Sequence, residues 1–161
     1  MPDSLTLTFK NEESRLELQF TPSEGGALTT VVCVRQGKLN LAFASYSFGY
    51  DLAEFACELE SLHARYEGIA RLINQAGDIE IEFSLVHPAR GIVGVLAKLE
   101  HCVSWPADYA PVHQQLEGRA LLFQGFTTEQ SYLPSLVTQI REFLAATRVS
   151  TIHPMLHETS A

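Results

Sequence analysis

The chain has 161 residues, 46% of them hydrophobic, which is enough for one well-buried core without disulfide or metal staples, and no linker-like stretch divides it. Nineteen acidic against eleven basic residues give a formal charge of −8, which repels DNA, RNA and anionic membrane surfaces and makes a basic partner the electrostatic complement. No stretch approaches the roughly 20 apolar residues of a membrane span, MPDSLTLTFK does not read as a secretory leader, and Cys33, Cys57 and Cys102 are too few and too scattered for a disulfide framework or zinc site, so the expectation is a cytoplasmic protein with free, half-buried thiols.

Leu5, Leu7 and Phe9 alternate with Thr6 and Thr8, and after a polar turn over 11–14 the alternation resumes with Leu16, Leu18 and Phe20, predicting a hairpin. Residues 21–26 break it. Leu28 to Arg35 then reads as a strand, turned by Gln36-Gly37 into Lys38 to Tyr46, with Val34 facing Leu39 and Val32 facing Leu41. The first 48 residues are thus a four-stranded meander. From Asp51 the period becomes helical, with Leu52, Phe55, Ala56, Leu59, Leu62 and Tyr66 on one face, Asp51 as N-cap and Gly68 just past the end.

The stretch from Gly77 to Glu100 is the most explicit. Asp78 to Phe83 alternates strictly, Pro88 and Gly91 supply turn geometry, and a second strand runs from Ile92 to Glu100. With His87 opposite Gly91, Phe83 meets Val95, Ile81 meets Ala97 and Ile79 meets Leu99, while Glu80 meets Lys98 on the other face. A turn over 74–77 would add a third strand, placing Leu72 beside Ile79, Ala70 beside Ile81 and Arg71 beside Glu80. The outer face then carries the row Arg71, Glu80, Lys98 and leaves Asp78 and Glu82 unmatched.

Residues 101–118, with Trp105-Pro106 and Pro111, show no period. Arg119 to Phe126 reads as another strand, and Leu133, Leu136, Val137, Ile140, Phe143 and Leu144 mark a second amphipathic helix, for which Pro134 makes Ser131 the preferred N-cap. The fold expected is α+β: a twisted antiparallel sheet of seven to eight strands with two helices packed on one face. A single domain over 1–148 is followed by an irregular tail over 149–161.

Chemistry is sparse. His153 and His157 have metal-ligand spacing, but Pro154 opposes a helix there and no third ligand is near. His101-Cys102 with Asp108 and His113 offers nucleophile, base and orienter by residue type, yet no signature surrounds the cysteine. The reading is therefore a non-enzymatic protein with no cofactor and no metal. The candidate contact residues are the carboxylates Asp78, Glu80 and Glu82 along one strand and Glu54 and Glu58 along the first helix, with Trp105 and Tyr109 as aromatic anchors; Glu60 and Tyr132 are further members of the same sets. Exposed carboxylates on a solvated surface are the plain alternative.

The order of elements resembles the WapI-type immunity proteins, small antitoxins made beside bacterial polymorphic or contact-dependent toxins. The resemblance runs through Tyr50-Asp-Leu-Ala-Glu-Phe-Ala-Cys-Glu-Leu, Gly68-Ile-Ala-Arg-Leu, Gly91-Ile-Val-Gly-Val and Phe126-Thr-Thr-Glu-Gln-Ser-Tyr-Leu, over about Leu16 to Thr147, with Glu129 where the pattern often has Asp. It implies an immunity protein that binds one cognate toxin domain, basic in many cases, and blocks it without chemistry of its own. The motifs are structural and carry no binding residues with them. Two other classes fit the same composition: an acidic chaperone or adaptor of a secretion system, and a small-ligand-binding domain.

Overall fold

A computed structural model describes residues 3–102 and 119–152. In chain order the elements are β1 (Leu5–Lys10), β2 (Ser14–Pro22), β3 (Ala27–Gln36), β4 (Leu39–Phe48), α1 (Gly49–Arg65), β5 (Ile69–Ile73), β6 (Ile79–His87), β7 (Ile92–Cys102), β8 (Arg119–Glu129) and α2 (Leu133–Thr147). The class is α+β and every pairing is antiparallel, as the alternation implies. Among the described residues the eight strands form two four-stranded meanders, β1-β2-β3-β4 and β5-β6-β7-β8, instead of one sheet. The division falls at α1, which carries the chain away from β4 so that β5 opens a new ladder.

Each strand buries one apolar side. Leu7, Leu16, Leu18, Phe20, Leu28 and Val32 of the first sheet and Leu72, Ile79, Ile81, Phe83, Val95 and Leu99 of the second belong to a single core. The sheets meet through aromatic rings: Phe9 stands edge-on to Phe83 at 5.5 Å and lies 6.4 Å from Phe126, while Phe55 of α1 is 5.4 Å from Phe83. Phe83 therefore joins both sheets to the helical layer. α1 packs along β5 and against α2, and Arg141 of α2 grips Glu60 of α1 with two hydrogen bonds of 2.9 and 2.7 Å.

The central hairpin has the expected register, with Ile79, Glu80, Ile81 and Phe83 opposite Leu99, Lys98, Ala97 and Val95. Near the turn an irregularity between Leu85 and His87 puts His87 opposite Ile92 rather than Gly91, because Pro88–Arg90 coil into a 3₁₀ turn that Gly91 closes at φ 63°. Two other turns sit further along the chain than expected. β3 and β4 turn on Gly37-Lys38, so Val34 faces Leu41 and Val32 faces Phe43. At the β5–β6 turn Asn74 still belongs to the ladder, its N–H donating to the Ile79 carbonyl at 3.2 Å, so Leu72 faces Ile81, Ala70 faces Phe83 and Arg71 faces Glu82. In both ladders partners move by two residues, which keeps every side chain on its face while changing every cross-strand neighbour.

The helix ends differ from expectation for local reasons. α1 starts at Gly49, and Asp51 acts from the third helical position, accepting the Phe48 N–H at 2.8 Å, instead of capping from outside. It stops at Tyr66, which takes the left-handed conformation at φ 57° ahead of Gly68. Ser131 is not an N-cap: Gln130–Tyr132 form a 3₁₀ turn and α2 begins at Leu133, with Pro134 in its first turn. Beyond α2, Val149 packs on the core, and a Cβ added to Gly49 would lie 2.5 Å from the Ser150 carbonyl oxygen, so the first residues of the expected tail are seated against the start of α1.

Candidate functional site

Most of the nominated carboxylates have structural partners. Asp78 sits at the β5–β6 turn, where its Oδ1 accepts the Ser45 hydroxyl at 2.7 Å and the Asn74 amide at 2.6 Å. Asn74, only 3% exposed, also donates to the Ser45 Oγ at 3.0 Å and the Tyr46 carbonyl at 2.9 Å, and accepts the Ile79 N–H at 3.0 Å. With two amide hydrogens spread over three acceptors, this cluster clamps the second sheet to the edge of the first. Asp78 is a junction residue, not a free charge.

The two-residue shift reassigns the other charges on β6. Arg71 Nε binds Glu82 at 3.1 Å, and Lys98 lies 3.8 Å from Glu80, so Glu82 is matched after all and Glu80 has one cationic neighbour instead of two. On α1, Glu58 accepts the backbone N–H of Arg71 at 2.6 Å, capping a donor on the outer edge of β5. Glu60 is held by Arg141, and Glu54 is exposed without an ion pair among the described residues. Trp105 and Tyr109, with Asp108, His113, His153 and His157, lie outside the described residues; Tyr132 is 36% exposed.

What the structure brings together instead is the outer face of the second sheet. Ile69, Ile73, Val86 and Leu96 are each close to half exposed there, interleaved with the ion pairs Arg71–Glu82 and Glu80–Lys98. In neighbouring rows across β7 and β8 stand two glycines, Gly94 opposite Thr127 and Gly125 opposite Leu96. They leave a shallow depression of about 430 Å³ with Glu82, Ser84, Val86, Leu96 and Thr127 around it. A Cβ on Gly94 would meet Val86 Cγ1 at 2.8 Å, so a side chain there would have to push that half-exposed valine aside. Period-two alternation marks these positions as outward-facing but does not say that aliphatic residues and glycines share that face, because the grouping depends on register.

A second depression, about 520 Å³, lies between the end of α1 and the two 3₁₀ turns, with His63, Tyr66, Arg90, Glu129 and Ser131 among its lining residues. His63 Nδ1 is buried there without a hydrogen-bond partner among the described residues, and Ser131 Oγ donates to the Glu129 carboxylate at 3.3 Å. Tyr50 and Arg141, among the described residues, are shifted from their ordinary values. Burial, with the charge of Asp51 adding to it, raises the Tyr50 phenol, and the Glu60 hydrogen bonds raise Arg141, so each is held more firmly in its usual protonation state. No three potential metal ligands cluster among the described residues, and Cys33 and Cys57 are exposed free thiols instead of half-buried ones. No helix of the described residues is long and apolar enough to cross a membrane. No protein-family model matches the chain, and no curated protein or solved structure is significantly similar to it.

Proposed function

We propose that the chain is an immunity protein that binds and neutralises a basic toxin domain by contact alone, with the outer face of the second sheet as the contact surface. One observation carries the reading: a depression floored by Gly94 and Gly125, ringed by half-exposed Val86 and Leu96, with the Glu82 carboxylate at its rim. Apolar atoms around a shallow hole suit the stem of an inserted Lys or Arg side chain, whose head would share the Glu82 carboxylate with Arg71. The net charge of −8 adds long-range attraction for a basic partner and accelerates encounter. The resemblance to WapI-type immunity proteins supplies the class of partner.

The test is co-expression with the toxin domain encoded beside this gene, followed by titration of the two purified proteins. Neutralisation of the toxin together with a complex that Leu96→Arg disrupts is the expected result. Undiminished toxicity and no complex at about 10 µM, a concentration that captures even modest affinities, would overturn the assignment. Neutralisation that Leu96→Arg leaves intact would keep the function and move the surface.

A further inference from the structure

The four outer edges of the two sheets are treated differently. β1 is short, at six residues, and ends in Lys10. β5 is shorter still, and the Glu58 carboxylate occupies its Arg71 N–H. On β4 the Tyr46 carbonyl accepts from Asn74. β8 is different: it runs for eleven residues, Ala120 to Thr128 contain neither a charge nor a proline, and no described strand pairs with its far side. Long uncharged edges are what folded chains ordinarily blunt or pair.

The direction of the free groups on β8 follows from two hydrogen bonds. Glu100 N–H donates to the Asp78 carbonyl, so even-numbered residues of β7 address β6 and odd-numbered ones address β8. The Gln130 N–H bond to the Gly91 carbonyl agrees, and with Val95 opposite Phe126 it makes the even-numbered residues of β8 those that bond to β7. The outward N–H and C=O groups of β8 therefore belong to Arg119, Leu121, Phe123, Gly125, Thr127 and Glu129.

We propose that this edge pairs antiparallel with the same edge of a second copy, about a twofold axis through Gln124. That register sets Arg119 opposite Glu129 of the second copy, Leu121 opposite Thr127 and Phe123 opposite Gly125, all odd-numbered positions, so every outward backbone group meets a partner. The only charges on the strand lie at its two ends with opposite signs, and the axis converts them into two complementary cross-strand pairs. An antiparallel copy is the one partner guaranteed to carry that complement, and twofold self-pairing closes the assembly at a dimer. The two second sheets become one continuous eight-stranded sheet.

Light scattering on the size-exclusion eluate of the full chain tests this directly. The expected mass is twice the 17.8 kDa of one chain at about 50 µM, within the range of weak homodimers. Gly125→Pro removes an outward N–H while leaving the β7 ladder intact, and a Cβ there meets nothing within 4 Å, so it should yield a folded monomer with unchanged circular dichroism. Arg119→Glu or Glu129→Arg alone should weaken the dimer about tenfold by setting like charges opposite each other, and the double variant should restore it, a readout that survives if the proline variant fails to fold. A monomeric wild-type chain at that concentration, a dimer unaffected by a folded Gly125→Pro variant, or charge reversals that do not rescue each other would overturn the proposal.

Discussion

The two sheets are built by the same rule and present different faces to solvent. The first exposes Thr6, Arg15, Gln19, Thr29, Cys33 and Arg35, and Lys10, Arg15 and Arg35 even stand in one cross-strand row, with only Arg15 matched locally, by the half-buried Glu17 at 2.6 Å. The second exposes Ile69, Ile73, Val86 and Leu96 between ion pairs and two glycines. Their inward faces are alike in kind, since both contribute mainly branched aliphatic and Phe side chains to one core, Leu, Val and Phe from the first sheet and Leu, Ile, Val and Phe from the second. The lesson is that burial periodicity describes what holds a sheet in place, whereas the residues of the other period, and the register that groups them, decide what the sheet can bind.

The sharpest way to break the comparison is to remove the residue at which the two sheets meet. Phe83→Ala should cost about 3 to 5 kcal/mol, since a fully buried ring that touches Phe9 and Phe55 leaves a cavity shared by three layers, and thermal unfolding should show the largest fall in midpoint of any variant here. Asn74→Ala comes next, at about 2 to 3 kcal/mol, because it strands the Tyr46 carbonyl and the Ile79 N–H at the junction; denaturant titration should show it more damaging than any exposed substitution on either sheet. Leu96→Arg and Thr6→Arg make a matched pair across the two outer faces. Both should alter stability by no more than about 0.5 kcal/mol, yet only the first should weaken capture of the toxin partner. Equal losses of binding would erase the functional distinction between the faces. Smallest of all, Glu80→Gln should cost no more than about 0.5 kcal/mol, as its pair with Lys98 is 3.8 Å long and solvated, and the effect should fade with added salt.

The alternation of Leu5 to Phe20 and of Ile79 to Phe83 made strand faces, class and core legible, because each strand reports its own burial. Partners were less legible. Whether Gln36-Gly37 or Gly37-Lys38 makes the turn changes no burial, so nothing in the pattern separates them, and the same ambiguity at Asn74 moved Arg71 from Glu80 to Glu82. Asn74 itself looked like an ordinary turn residue. Its role comes from Ser45 and Tyr46, far away in sequence, and no local signal carries such a contact. The same holds for Asp78 and Glu58, whose exposure seemed guaranteed by charge. Splitting into two sheets was illegible for a related reason, since a strand after a helix reads identically whether it extends an old sheet or starts another.

Sequential strand order has a kinetic corollary. Every ladder but one is closed by a short turn, whereas Cys102 and Arg119, opposite each other in β7 and β8, are separated by the sixteen residues 103–118. Relative to a four-residue turn, closing that span costs about 1.2 kcal/mol more in chain entropy. The β6–β7 hairpin is therefore the natural nucleus of its half, and β8 adds to it late. In refolding experiments Phe126→Leu should then accelerate unfolding while hardly slowing folding, whereas Ile81→Val should slow folding itself. Until β8 arrives, the last ladder is open, so the order in which this chain acquires its pairings also sets the interval during which β7 is available to other molecules.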